Sequence, residues 1–273
     1  MVDKCLLVGV NAYPDAPLSG CVNDVKDMAG YLVAEHGFAP SSIRMLVDKR
    51  ATTAAIIERL HWLVKDAKPN DRIVFHHSCH GTQVATRNPQ DEIDGKDEVL
   101  CPVDFDWSEK HLIRDKALHE IFSRLPNGVK FVWIADCCHS GSLDRDITRP
   151  PKGAKKGKVL GARFLAPPAD IEWRLKGADH LGHVASKLHA RTTSSPLNVA
   201  FISGCKDTQT SADATFGNRA NGALTYYLLK NLKAKKDLPL TDLVKLVRAD
   251  LKKNGYSQEP QVDGTRAGVA FLG

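Results

Sequence analysis

Apolar residues fall along this chain in two rhythms. Short unbroken runs such as CLLVGV from Cys5 and FVWIA from Phe131 suit strands covered on both faces. Six are predicted: KCLLVGVNAY ending near Asn11, SIRMLV, DRIVFHHS, GVKFVWIAD, NVAFISGC and a final AGVAFLG. Between them, apolar positions recur at helical spacing in NDVKDMAGYLVAEHGF, TTAAIIERLHWLVKDA, DKALHEIFSRL, GALTYYLLKNLKA and LTDLVKLVRADLKKNG. Gly37 follows the first helix as a C′ residue should, and a Thr opens the second. Strand and helix in alternation predict a mostly parallel sheet with helices on both faces.

The rhythm breaks after Asp144. RPPKGAKKGKVLGARFLAPP is rich in Pro, Gly, Lys and Arg and has no acid, so it reads as a connector running to Pro196. Much of the formal charge of +6 gathers there, in Lys152, Lys155, Lys156, Lys158 and Arg163. No aromatic residues interleave with the central lysines, which argues against nucleic-acid binding. No apolar run is long enough to span a membrane, and no secretory signal is visible. The seven cysteines are an odd number without regular spacing. That argues against a disulfide framework, and a reducing cytoplasm is the default expectation, where thiols stay available for chemistry.

Chemistry-bearing residues collect where predicted strands end. The first strand leads into SGCVND, the third into HHSCHGTQ and the fourth into DCCHSG. In an open α/β sheet those carboxyl ends share one rim, which would gather Asp24, His80, Asp136 and Cys138. Singly, each has a bland reading, since buried cysteines pack and most histidines are structural. Together they suit nucleophilic catalysis, with an imidazole that promotes thiolate formation and later protonates the leaving group. His76, His77, Cys79, His80, Cys137 and His139 also have the atoms for zinc, but their spacing matches no common finger pattern. A phosphatase-type loop would need Arg six residues beyond Cys138, where the chain has Asp144.

HHSCHG and DCCHSG resemble the His and Cys motifs of caspase-like cysteine peptidases, in particular metacaspases and their bacterial relatives (peptidase C14-like). GCVNDVKDM, DEIDGKDEVLCPVDF, FISGCKDTQTSAD and GALTYYLL resemble further segments of that family. The resemblance implies a caspase-like α/β fold, with a mostly parallel six-stranded sheet flanked by helices on both faces. Residues 1–145 would form a large-subunit-like catalytic region, 146–196 a basic linker, and 197–273 a small-subunit-like region completing the same sheet. It implies Cys138 as nucleophile, His80 as base, and the backbone amides of Gly81 and Cys138 as oxyanion donors. Cys137 and Cys79 stand where the family has Ser and Gly, so two extra thiols flank the site.

By the same resemblance, Cys21, Asp24, Ser78 and Asp136 line the pocket for the residue before the cut. Two carboxylates converging there favour Arg or Lys and repel an acid. The implied activity is endopeptidase cleavage after Arg or Lys. Its partners would be protein or peptide substrates with a basic residue before the cut, with an activating protein as a further possibility. The alternative is a catalytically silent interaction module of the same fold. No cofactor is expected to be required, with calcium as the possible one. Asp97 and Asp115 match family calcium positions, but Arg114 and Arg145 fall where further acids would stand. The linker carries residues the pocket should accept, so Lys155, Lys156, Lys158 and Arg163 are candidate self-cleavage sites.

Overall fold

The computed structural model describes residues 1–86, 95–138, 159–175, 197–206 and 209–273. Its main sheet has six strands: β1 (Asp3–Gly9), β2 (Ile43–Val47), β3 (Arg72–Ser78), β7 (Lys130–Asp136), β9 (Ala200–Ser203) and β12 (Gln261–Asp263). They lie in the order β12-β9-β7-β3-β1-β2, parallel except for β12. The alternation within each strand sorts side chains between two cores. Leu6, Val8, Ile73, Phe75 and Phe131 face helices α2 (Thr53–Val64) and α3 (Asp115–Phe122). Cys5, Leu7, Val74, Val132 and Ile134 face α1 (Cys21–His36), α5 (Ala223–Ala234) and α6 (Leu240–Lys253). Both faces are therefore dry, which explains the near-continuous apolar runs. Residues 169–175 are helical (α4).

Two small sheets sit beside the main one. One is antiparallel, β4 (Gly81–Ala85), β5 (Lys96–Leu100) and β6 (Ile113–Arg114). The other joins β11 (Arg219–Gly222), β10 (Ala212–Phe216) and β8 (Val159–Ala162), also antiparallel. These short strands escape the sequence pattern, because they carry polar and small residues and owe their pairing to partners far along the chain.

Two expectations need correction. The sixth strand is Gln261–Asp263 and not AGVAFLG, which forms turns and one isolated bridge to Pro239. Phe271 and Leu272 are buried, so the apolar pattern there reports burial without a ladder. The segment 146–196 is also not uniform connector. Of its described residues, Val159–Ala162 form a strand and Arg163 is fully buried. Lys155, Lys156 and Lys158 lie outside the described residues.

Candidate active site

β3 and β7 run side by side in a register that pairs Ser78 with Asp136. Two residues beyond that last pair lie His80 and Cys138, so parallel pairing alone brings base and thiol to one rim. β1 ends on the other side of β3, pairing Gly9 with Ser78, and leads through a loop into α1. Asp24 in the first turn of α1 thereby faces the same rim.

Each member has a defined orientation. His80 Nε2 lies 2.7 Å from the Ala16 carbonyl. A carbonyl only accepts, so Nε2 carries the proton and Nδ1 keeps its lone pair. Nδ1 is buried and has no hydrogen-bond partner. The ring lies 4.7 Å from that of Tyr13, whose hydroxyl accepts from the His80 amide. Burial pushes the His80 pKa down to about 4, so the imidazole is neutral and basic near pH 7. Cys138 Sγ accepts from the Ser211 amide and lies 3.6 Å from the Ser211 carbonyl.

Cys137 faces the other core. Its sulfur is 3.8 Å from His77 Nδ1, and Cys79 approaches the same nitrogen at 3.7 Å. Contact with Cys79, followed by burial, pushes the Cys137 thiol well above its ordinary pKa. Successive residues of an extended chain point to opposite faces, so two adjacent cysteines have separate surroundings. Among the described residues, no group of three or more His, Cys, Asp or Glu side chains is placed to hold a metal ion. His139 lies outside them.

The pocket beside Cys138 holds the side chain of Arg163. Its Nη2 donates to Asp24 Oδ2 at 2.8 Å and to Asp213 Oδ1 at 3.0 Å. Its Nη1 donates to Ser78 Oγ at 2.7 Å and to the Asp136 carbonyl at 3.2 Å, and lies 3.2 Å from Asp136 Oδ1. Burial opposes the guanidinium charge, but Asp136, Cys21, Asp24 and Asp213 outweigh it and raise the pKa well above its ordinary value. The predicted members Cys21, Asp24, Ser78 and Asp136 are all buried here. Burial raises the Asp24 pKa to about 6 against the pull of Arg163, and drives the Cys21 thiol up as well.

The backbone of Arg163 is placed as well as its side chain. Its carbonyl oxygen accepts from the amides of Gly81 and Cys138, both at 3.1 Å. These are the two donors expected for an oxyanion. Its own amide donates to the Ser211 carbonyl at 3.0 Å. The preceding strand β8 pairs with β10, Ala162 opposite Ala212 and Gly161 opposite Asp213. Beyond it, the Leu165 amide donates to the Gly81 carbonyl at 3.0 Å, and Thr82 Oγ1 donates to the Leu165 carbonyl at 2.8 Å. The chain passes through the cleft as an added strand, the geometry of peptide recognition by strand addition.

Sequence reasoning missed the residues that build the pocket from the C-terminal part. Asp213 accepts from the Ser19 and Gly20 amides at 2.8 and 3.0 Å, so it fixes the entrance to α1 as well as meeting Arg163. Asp136 accepts from Ser211 Oγ at 2.8 Å, and from the Thr225 amide and hydroxyl at 3.0 and 2.7 Å. His76, lowered by burial to about 4, backs Thr225 at 3.2 Å. Asn221 and the Gly222 amide donate to Asp24 Oδ1, both at 2.9 Å. A Cβ on Gly222 would overlap Asp136 and the Arg163 guanidinium, so only glycine fits that wall. The one sequence signal for Asp213 was an acid set between small apolar residues in SADATF.

The candidate calcium position does not fit a divalent cation. Asp97 is buried, its Oδ2 paired with Arg114 Nη1 and its Oδ1 2.7 Å from Lys116 Nζ. Lys116 also donates to Thr86 Oγ1 at 3.0 Å, and Arg114 to Glu109 at 2.5 Å. Burial alone would raise the Asp97 pKa, but bonds from Lys116, Thr86 and Arg114 outweigh it and the net shift is downward. A guanidinium and an ammonium hold the oxygens a calcium ion would need. Asp115 opens α3 and lines a cavity of about 210 Å³ with His77 and Glu98. Asp91, Glu92, Asp94 and Arg145 lie outside the described residues.

A family described as metacaspase, peptidase C14 domain, matches residues 3–145. Metacaspase-1 of Ajellomyces capsulatus is 36% identical over 282 residues, covering 95% of this chain and 78% of that protein. Metacaspase-1 of Coccidioides immitis is 36% identical over 283 residues, covering 95% of this chain and 60% of that protein. The chain thus spans less than two thirds of the second relative. The crystal structure of a Geobacter sulfurreducens protein superposes with a TM-score of 0.68 at 25% identity, covering 97% of this chain and 93% of that one.

Proposed function

The chain belongs to the metacaspase, peptidase C14, family of caspase-like cysteine peptidases, and from that premise we propose that it is an endopeptidase cutting after Arg or Lys. The observation that carries this reading is Arg163. Its guanidinium meets Asp24, Ser78, Asp136 and Asp213, while its carbonyl sits between two backbone amides beside the thiol. An acidic side chain there would face three carboxylates, and a neutral one would leave them without a counter-charge.

In the reaction, His80 Nδ1 takes the Cys138 proton and the thiolate attacks the scissile carbonyl. The Gly81 and Cys138 amides stabilise the oxygen as it gains charge. His80 then protonates the departing amine, and water releases the thioester. The Ala16 carbonyl holds the ring in the tautomer this needs. Cys137 has no part in these steps. Turnover needs no calcium, because Lys116 and Arg114 supply the positive charge beside Asp97.

Substrates are proteins or peptides with a basic residue before the cut, and the chain is among them through its own basic segment. All seven cysteines are free, which suits a reducing compartment such as the cytoplasm. Among the described residues, no helix is long and apolar enough to cross a membrane. The test is a peptide-library cleavage profile. Cleavage confined to sites after Arg and Lys supports the reading, and a preference for Asp overturns it.

A further inference from the structure

The three carboxylates of the pocket are held in two different ways. Asp24 and Asp213 take backbone amides: Gly222 donates to Asp24, and Ser19 and Gly20 donate to Asp213. Asp136 takes one amide, that of Thr225, and two hydroxyls. Ser211 Oγ donates to its Oδ1 at 2.8 Å, and Thr225 Oγ1 donates to its Oδ2 at 2.7 Å. An amide in a folded chain has a fixed direction. A hydroxyl is a rotor that can donate or accept, so what lies behind it matters.

Behind Ser211 lies Gln258, buried in the segment that leads into β12. Only one orientation of its amide fits. The Ala212 amide can only donate, so Oε1 faces it at 2.9 Å. The Gly204 carbonyl can only accept, so Nε2 faces it at 2.9 Å. The second hydrogen on Nε2 then points at Ser211 Oγ, 3.2 Å away. Ser211 accepts there, and its own proton is left for Asp136. Behind Thr225 lies His76, fully buried, with Nε2 3.2 Å from Oγ1. Thr225 gives its proton to Asp136, so its oxygen accepts and His76 Nε2 carries the ring proton. Burial pushes the His76 pKa down to about 4, which leaves the ring neutral with that one proton.

We propose that Gln258 and His76 are positioning residues for specificity: through Ser211 and Thr225, each points a hydroxyl proton at one oxygen of Asp136 and holds that carboxylate aimed at the basic side chain before the cut. The proposal rests on the reading of the chain as an endopeptidase for basic residues, and it adds the residues that set the pocket from behind. Neither residue touches a substrate. In an empty pocket Asp24, Asp136 and Asp213 converge without a cation and repel one another. Freed of fixed donors, Asp136 would turn from its neighbours, and an arriving substrate would have to reorder it. Donors already in place remove that cost, and successive hydrogen bonds polarise one another. The two chains therefore serve a charged side chain and are indifferent to an uncharged one of the same shape.

The test compares two peptides, acetyl-Val-Leu-Gly-Ala-Arg and its citrulline counterpart, each carrying a fluorogenic amine. Citrulline keeps the shape of Arg and loses the charge. The proteins are wild type, Gln258→Met, His76→Phe and His76→Gln, each made again in the Arg163→Gln chain, whose pocket lacks its own guanidinium. Met and Phe fill the volume without a donor, whereas Gln keeps a donor at about the reach of Nε2. Gln258→Met and His76→Phe should lose at least about fivefold in kcat/KM on the Arg peptide while the citrulline peptide stays within about twofold. The loss should lie in KM with kcat unchanged, as for binding made before the chemical step. His76→Gln should recover most of the preference for Arg. If both peptides fall together, the two residues hold the fold and not the specificity, and the proposal is wrong. It is equally wrong if neither peptide falls, or if His76→Gln is as poor as His76→Phe. Should Gln258→Met or the Arg163→Gln chain fail to fold, Ser211→Ala and Thr225→Val in the wild-type chain decide, with the same loss expected on the Arg peptide alone. If wild type itself cuts both peptides equally or neither, the reading of the site as one for basic residues has failed, and the proposal falls with it.

Discussion

Two buried acidic sites in this molecule have been given cations in opposite ways. Asp97 is closed by Lys116 and Arg114, which belong to the adjoining α3 and β6. Asp24, Asp136 and Asp213 are closed by Arg163, at the end of the short strand β8. Burial costs a carboxylate solvation in both places. The difference is what must move to take the cation away. At Asp97 a helix and a ladder would have to come apart. At the cleft one strand must leave, and under the proposed function an extended peptide with a basic residue would replace it. A fixed pair is structure, and an exchangeable pair is a binding site.

The strongest way to break this contrast is at the thiol. Cys138→Ala should abolish both peptide turnover and self-cleavage, while Cys137→Ala keeps most activity, since Cys137 faces His77 and Cys79 in the other core. Labelling of Cys137 by an active-site-directed alkylator, with Cys138 left free, would reverse the assignment. His80→Ala should lose about 10²–10⁴-fold in kcat, the range of acid–base assistance. Near-normal turnover in that variant would remove His80 from the mechanism.

Next comes the pocket. With Arg163→Gln as background, Asp24→Asn or Asp136→Asn should lower kcat/KM for the Arg peptide by the about 1.5–3 kcal/mol of a charge-assisted bond. Asp213→Asn should do the same. Asp97→Asn should leave kcat/KM unchanged and lower the midpoint of thermal unfolding. Equal kinetic effects at Asp97 and Asp24 would erase the distinction.

Acid sharpens the contrast further. Asp24 has a pKa raised to about 6, so it takes up a proton as pH falls through that value and one negative charge leaves the pocket. In the Arg163→Gln protein the guanidinium that holds the Asp24 pKa down is gone, so kcat/KM for the Arg peptide should begin to drop above pH 6 as pH falls, and Asp24→Asn should remove that limb. A second loss should follow nearer pH 4, where His80 gains its proton. The smallest effect expected is that of calcium. Rates in excess chelator and in millimolar calcium should agree within about twofold, because the ligand oxygens are already paired. A large calcium-dependent rise that vanishes in Asp97→Ala would show that Lys116 and Arg114 yield.

The rim was legible in the sequence because its logic is local. Each of HHSCHG and DCCHSG follows a run of buried strand residues, and parallel pairing of those runs suffices to juxtapose His80 with Cys138. The third carboxylate was not legible. Asp213 reaches the pocket from β10, which pairs with strands of only 4 residues, too short to announce themselves. The last strand was misplaced for a related reason. AGVAFLG is apolar because Phe271 and Leu272 pack under α1 and α6, whereas the edge strand Gln261–Asp263 is half-exposed and carries no apolar run.

By itself the sequence determined the class of fold, the helices on each face, and the thiol, imidazole and acids at one rim. Those follow from periodicity and from residues adjacent in the chain. Only the tertiary structure decided what the basic segment does. Read by composition, Arg163 belongs to a segment rich in Lys, Gly and Pro and looks solvated with it. In the folded chain it is fully buried among Asp24, Asp136 and Asp213, which lie between 27 and 139 residues away. Composition predicts a charge to be in water because it counts only neighbours in sequence. A buried charge is tolerated because of neighbours in space, and those exist only once the sheet has closed.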